Sequence, residues 1–348
     1  MIKLKKDQAL PYILINLLPE GRSIQKSRDL LKGAIDIHIH AGPHLTTSPR
    51  SVTPVEAAVQ ARDAGMRALV YMDVFQMSNG TAQIVNEVVP DFITYGGINL
   101  NTVFGGINPR AVRTSLTYAG GAKYVAFGTH STHWMASREG HYIDGEFKQF
   151  HTYDEKFKRE ELGRSIRIPV DEAPTPEIVE ILEMVAANPD IYLITGHVSA
   201  PEAVRLVELG HEYGIKKMVA SSTVFKIATM DQLAHMAELG CLIEYTLAAY
   251  GHSSGTRKTD YYAEIKYASD YIPNNFPKTS IKTVAAHINE LGAENCIIAT
   301  DYGVYTMAPP VEGLREFIAL LLDLGLTEEQ IKTVVQKNPE KLLGLPAA

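Results

Sequence analysis

A chain of 348 residues with 45% hydrophobic and 21% charged side chains has enough apolar material for a sizeable core, which excludes a disordered or low-complexity protein. The net charge is -7 and the basic runs are short (Lys3 to Lys6, Lys156 to Arg159), so nucleic acid is excluded as the expected partner. No apolar run reaches the length of a membrane span, and two cysteines, Cys241 and Cys296, each opening an apolar run, suit buried thiols in a reducing cytoplasm better than a disulfide framework.

Residues 1–33 are expected to form an N-terminal extension that packs on the outside of the domain following it. Its lysines and apolar stretch are interrupted by Pro11 and Asn16, and no small-residue cleavage site follows, so a leader peptide is not expected. From residue 34 to 348, short β-branched runs alternate with helix-period segments, the pattern of βα units around a parallel sheet. The predicted strands are 34–42, 66–74, 92–101, 122–130, 191–199, 215–222, 241–250 and 296–303. Eight strands close a barrel, so the expected fold is an α/β (β/α)8 TIM barrel. Helix starts are marked by Thr53-Pro54 with Glu56, Asn108-Pro109, Thr175-Pro176 with Glu177, Ser199 before Pro201-Glu202, and Thr229 before Asp231. Thr327-Glu328-Glu329 opens a last helix, with Asn338-Pro339 after it.

Two connections exceed the usual βα loop, 131–175 after the fourth strand and 251–277 after the seventh, and both should rise over the C-terminal face where barrel enzymes keep their chemistry. The first carries His133, Trp134 (the only tryptophan), His141, Tyr142, His151 and Tyr153; the second carries Tyr261, Tyr262, Tyr267 and Tyr271. Such segments serve as a folded insertion, an oligomer contact or a substrate lid, so a homo-oligomer is left open. Gly251-His252-Ser253-Ser254-Gly255 matches a nucleophile elbow, but no histidine follows Asp301 to complete a triad, and a loop is the better reading. Neither Gly96-Gly97 nor Gly105-Gly106 extends into a phosphate loop.

The chemistry concentrates at strand ends. In Ile35-Asp36-Ile37-His38-Ile39-His40, period-two alternation puts Asp36, His38 and His40 on one side of the first strand, which then ends at Ala41-Gly42-Pro43. His-x-His alone is a weak signal in a chain with 12 histidines, but Thr195-Gly196-His197 ends the fifth strand and Thr300-Asp301 the eighth in the same way. Three imidazoles and a carboxylate at one rim suit a divalent cation, zinc first, with manganese or iron as alternatives.

This spacing resembles the amidohydrolase superfamily, with its Asp-x-His-x-His first strand, strand-five histidine and strand-eight aspartate. The tail Asn338-Pro339-Glu340-Lys341-Leu342-Leu343-Gly344 is similar to one common there, and the runs AIDIHIHAGPH, GGINLN, GGINP, ITGHVS and ATDYG resemble an amidohydrolase-related domain family of uncharacterised role. The resemblance implies that His38, His40, His197 and Asp301 bind the metal and that Asp301 shuttles a proton. It also exposes departures. Two-metal members carry a lysine or glutamate ending strand four and a histidine ending strand six, whereas here Lys123 is at the wrong end of its strand and Ala220-Ser221-Ser222 ends the sixth. One metal is therefore expected and a second disfavoured. His130, His133, Asp73 and Glu244 are candidates for a missing acid-base group or second site. Catalytic roles are assigned to Asp301 and His130, and substrate contacts to His133, Trp134, Ser222 and Glu244, with Arg138, Arg257 and Lys258 as further holders of a carboxylate. The expected activity is hydrolysis of an amide, ester or lactone-like bond of a small molecule by metal-activated water. A metal-dependent decarboxylase or hydratase, or a non-catalytic ligand-binding barrel, are the alternatives.

Overall fold

The computed structural model describes residues 22–44, 49–138, 140–143, 146–149, 154–249, 280–305 and 307–346. Eight parallel strand positions follow one another around a barrel. The first, β1 (Ile35–Ile39), pairs with β2 (Ala68–Tyr71), and β2 with β3 (Ile93–Tyr95). A short β4 (Ile98–Asn99) pairs with β5 (Tyr124–Ala126), and parallel pairing continues through β8 (Tyr192–Ile194), β9 (Met218–Ala220) and β10 (Cys241–Thr246) to β11 (Cys296–Ala299). The seam closes beyond β11, where Ile39 bridges Tyr302 in parallel and the His40 amide donates to the Tyr302 carbonyl at 2.8 Å. Each strand is shorter than the run that predicted it, because the apolar pattern continues past the last ladder bond into the loops.

β3 and β4 are one predicted strand, bent at Gly96-Gly97. Here the chain runs against the Ser78–Val88 helix: a Cβ on Gly96 would lie 2.2 Å from the Ser78 carbonyl carbon and one on Gly97 2.4 Å from the Tyr124 carbonyl oxygen. Ser78 holds the bend, its hydroxyl donating to the Tyr71 carbonyl at 2.7 Å and accepting from the Gly97 amide at 2.9 Å. The paired glycines are thus a packing requirement.

Alternate strand residues divide between two cores. Ala68, Val70, Tyr124, Ala126, Tyr192, Ile194, Ile297 and Ala299 fill the barrel interior, while Leu69, Val125, Leu193, Ile243 and Ile298 pack outward against helix residues such as Leu206, Leu233 and Phe317. The caps read from sequence are in place. Thr53 with Glu56, Ser199 with Glu202, Thr229 with Gln232 and Thr327 with Gln330 form capping boxes, while Asn108 and Thr175 accept from the first-turn amides of their helices.

The Arg22–Leu31 helix packs on the Pro310–Asp323 helix and buries Leu30 and Leu31; residues 1–21 of the expected extension lie outside the described residues. Asn338 does not end the last helix as its proline suggests. A π-helical turn, Thr333–Lys337, leads straight into Asn338–Leu343, and the buried Asn338 amide donates to the carbonyls of Ala293 (2.8 Å) and Cys296 (2.7 Å), tying this helix to the start of β11. Beside it Glu340 pairs with Arg67.

The connection after β5 is a folded insertion. It contains the His133–Ala136 helix, an antiparallel hairpin of β6 (Gly140–Ile143) and β7 (Glu146–Gln149), and the Glu155–Arg164 helix. The second long connection, 251–277, with its tyrosines, Arg257, Lys258 and the Gly251–Gly255 run, lies outside the described residues, as do the side chains of His141, Tyr142, His151 and Tyr153. Among the described residues no helix is long and apolar enough to cross a membrane, and Cys241 and Cys296 are buried free thiols.

A Gly97→Ala substitution should lower unfolding free energy by about 3 kcal/mol, since its Cβ meets backbone that cannot yield. Denaturant unfolding checks this, and a loss below about 0.5 kcal/mol would show that the bend is dispensable.

Candidate metal centre

The first strand departs from simple alternation. Asp36 pairs with Leu69 but Ile39 with Tyr71, so three steps on β1 oppose two on β2, a β-bulge. Asp36 is therefore not on the side of His38 and His40, as period-two spacing predicted; it lies with Leu69 on the outer side, while both imidazoles line the barrel mouth. The bulge frees an amide, and Asp36 satisfies it. Its Oδ1 accepts from the amides of His38 (3.2 Å) and Thr300 (3.1 Å), and its Oδ2 accepts from the Thr300 hydroxyl at 2.6 Å. Full burial raises the Asp36 pKa to about 7 against these three bonds.

Across the seam, Asp301 follows β11 in a left-handed conformation, φ 55°, its amide donating to the His38 carbonyl at 2.8 Å. Gly303 lets the two chains close: a Cβ there would sit 1.7 Å from the His40 carbonyl oxygen. The result is a convergence of His38, His40 and Asp301, whose candidate ligand atoms all lie within 4.8 Å of one another. Asp301 Oδ1 is 3.0 Å from His40 Nε2 and 3.3 Å from His38 Nε2.

The outer faces of both rings fix the inner ones. His40 Nδ1 lies 2.8 Å from the Met72 carbonyl oxygen, which can only accept, so Nδ1 carries the proton and Nε2 presents a lone pair. His38 Nδ1 lies 3.0 Å from Glu244 Oε1 and is fixed in the same way. Both Nε2 atoms therefore face the Asp301 carboxylate, where a proton on His38 Nε2 holds the place that a cation would take. Two imidazole nitrogens and a carboxylate oxygen so placed are a donor set that fits a divalent metal. The surroundings also favour positive charge: burial pulls the His38 pKa down, but Asp301 and Glu244 outweigh it and push it up to about 9. Burial would raise the Asp301 carboxyl, yet His38 and the neighbouring histidines hold it well below its ordinary value.

His197, after β8, is placed in the wall of the same cavity but outside the three-residue convergence. Burial drives its pKa down to about 3, so the ring is neutral, and its buried Nδ1 has no hydrogen-bond partner among the described residues. His130 stands edge to face with it, ring centroids 5.9 Å apart, and also lines the cavity, as does Ser222.

Other expected site residues sit elsewhere. Glu244 is 1% exposed and both of its carboxylate oxygens are engaged within the protein, one by His38 and the other by the Ser222 amide at 2.9 Å. It orients the His38 ring and is not among the residues lining the cavity. His133 and Trp134 are not at the mouth: they line a neighbouring hollow with Arg138, whose guanidinium stacks 3.3 Å from the Trp134 ring centroid, because the His133–Ala136 helix turns them towards the Ser199–Glu202 helix start. Asp73 accepts from the amides of Phe75 and Gln76 and the Gln76 side chain, closing its own loop. Lys123 stands over the Tyr95 ring, near Lys217 and Asp190. Sequence reasoning missed Arg50, Lys226 and His44 in the cavity wall. Their signal was position, in the connections that leave the C-terminal ends of β1 and β9.

Solved structures share this architecture. The chain is similar to an amidohydrolase from Pseudomonas aeruginosa (13% identity, 92% of this chain and 98% of that one, TM-score 0.52). It is similar also to a putative 2-pyrone-4,6-dicarboxylic acid hydrolase from Pseudomonas putida (13%, 90% and 97%, 0.51) and to an amidohydrolase from Burkholderia multivorans (10%, 90% and 99%, 0.51). The fold is that of the amidohydrolase (β/α)8 barrels. A family model described as "Family of unknown function (DUF6282)" matches residues 33–244, more than half of the chain, and the protein belongs to that family. A search of the curated proteins returns no match.

Two substitutions probe the supports of the cluster. Glu244→Gln should weaken zinc binding about 10–100-fold by removing the carboxylate that holds His38, read by competition with a chelating dye. Asp36→Asn, which turns an amide group towards a donor, should cost about 1–3 kcal/mol of stability. Wild-type affinity in the first or wild-type stability in the second would contradict these assignments.

Proposed function

We propose that the protein is a metal-dependent hydrolase that cleaves an amide, ester or lactone-like bond of a small molecule. The observation that carries this reading is the convergence of His38 Nε2, His40 Nε2 and Asp301 Oδ1 with their proton-bearing sides tied off behind them. These three residues, with the neutral His197, would hold one divalent cation, zinc first. A cation held there supplies Lewis acidity and lowers the pKa of a water toward about 7. The barrels to which the chain is similar include proteins named as amidohydrolases and a putative lactone-type hydrolase, which supports the same class.

The chain's own residues account for the remaining steps. Asp301 is a quarter exposed at the cavity, ionised, and aimed by its backbone, so it accepts a proton from the attacking water and returns it to the leaving group. His130, in the same wall, is placed to polarise the scissile carbonyl or to donate to it. Ser222 contributes a hydroxyl at the position where two-metal barrels have a histidine, in keeping with one metal.

Purified protein should contain about one equivalent of metal per chain by elemental analysis, and His38→Ala should lose it. Chelation should lower the unfolding temperature, because the cation binds the folded state only. Asp301→Asn should lower turnover at least about 100-fold when compared at equal metal content. Metal-free wild-type protein after growth and purification without chelator would overturn the proposal. Uptake of ¹⁸O from water without carbon dioxide release separates hydrolysis from the decarboxylase alternative.

A further inference from the structure

The cavity above the cluster has a volume of about 150 Å³, which suits a ligand of roughly benzene size. Its charge is lopsided. Among the described lining residues Asp301 is the one acid, whereas Arg50 and Lys226 bring two permanent cations. They come from separate elements: Arg50 bridges Val304 beside the β1–β11 seam, with its field acting on His40, and Lys226 lies in the turn after β9, with its field acting on His197. Lys226 is half-buried and forms no ion pair among the described residues, although a buried ammonium is ordinarily paired. Asp73 is bound up in its own loop and Glu244 is spent on His38 and the Ser222 amide, so neither offsets the Lys226 ammonium at the cavity wall. A low-dielectric pocket of one sign concentrates ligands of the other.

We infer that the substrate is a small carboxylate, or a molecule with an equivalent compact anionic group, held by Lys226 and Arg50 beside the reacting bond. This inference rests on the cavity being the active site proposed above. Lys226 supplies a point charge that turns with the ligand, and Arg50 offers a planar fork that matches a carboxylate. The long loops, with Arg138, Arg257 and Lys258, are not needed for this recognition.

The test is calorimetric titration of the protein, with unbound metal removed by gel filtration, using succinate and its neutral counterpart succinamide. Succinate should bind at least about tenfold more tightly than succinamide. Lys226→Gln should abolish that preference with metal content and folding unchanged, and Arg50→Gln should reduce it. Equal affinity for the two probes, or a succinate preference that survives in Lys226→Gln, would overturn the inference and leave the metal-centre proposal standing. Absence of metal in the elemental analysis would instead overturn the proposed function. The same titration on metal-free protein still decides the Lys226 role, since its ammonium should favour succinate over succinamide without the cation.

Discussion

The buried carboxylate of Asp36 is the constraint on which the candidate centre depends. A barrel must close, and here closure falls between β1 and β11, the two strands that carry His38, His40 and Asp301. The bulge in β1 rotates His38 and His40 into the mouth but breaks the ladder, and an unpaired buried amide would cost about 1–3 kcal/mol. Asp36 removes that cost by accepting from His38, and by bonding Thr300 with both oxygens it joins the strand of the two imidazoles to the strand of the acid. Fold and site are therefore secured by the same three hydrogen bonds.

Much of this architecture is legible in the sequence because its signals are local. Apolar runs separated by capped helices mark eight strands, and Thr53, Thr229 and Thr327 sit where their side chains bond first-turn amides. The strand-end rule locates His38, His40, His197 and Asp301 on one cavity. The bulge is not legible, because an extra residue in a ladder is a relation between two strands and leaves no mark on either alone. Alternation therefore placed Asp36 beside the histidines when it works from behind them.

The assignments that moved share a cause. Glu244 reads as a polar residue near a strand end, and only the position of His38, 206 residues away, shows that its carboxylate is spent orienting a ring. His133 and Trp134 immediately follow a strand end, yet a helix of four residues carries them to a different hollow. Arg50 and Lys226 lie in turns with no motif, and what selects them is the shape of the cavity they enclose.

The left-handed backbone at Asp301 restricts which chemistry this position can adopt. Among side chains other than glycine, aspartate and asparagine tolerate that region best, because their short polar groups bond locally, whereas longer or branched ones cost about 1–3 kcal/mol. A glutamate or a cysteine would each be a reasonable partner for some metal, and the torsion disfavours both, whereas a histidine tolerates it. Selection at this strand end therefore favours aspartate, asparagine or histidine, and diversification of activity on this scaffold proceeds more readily through the walls of the pocket than through the eighth strand.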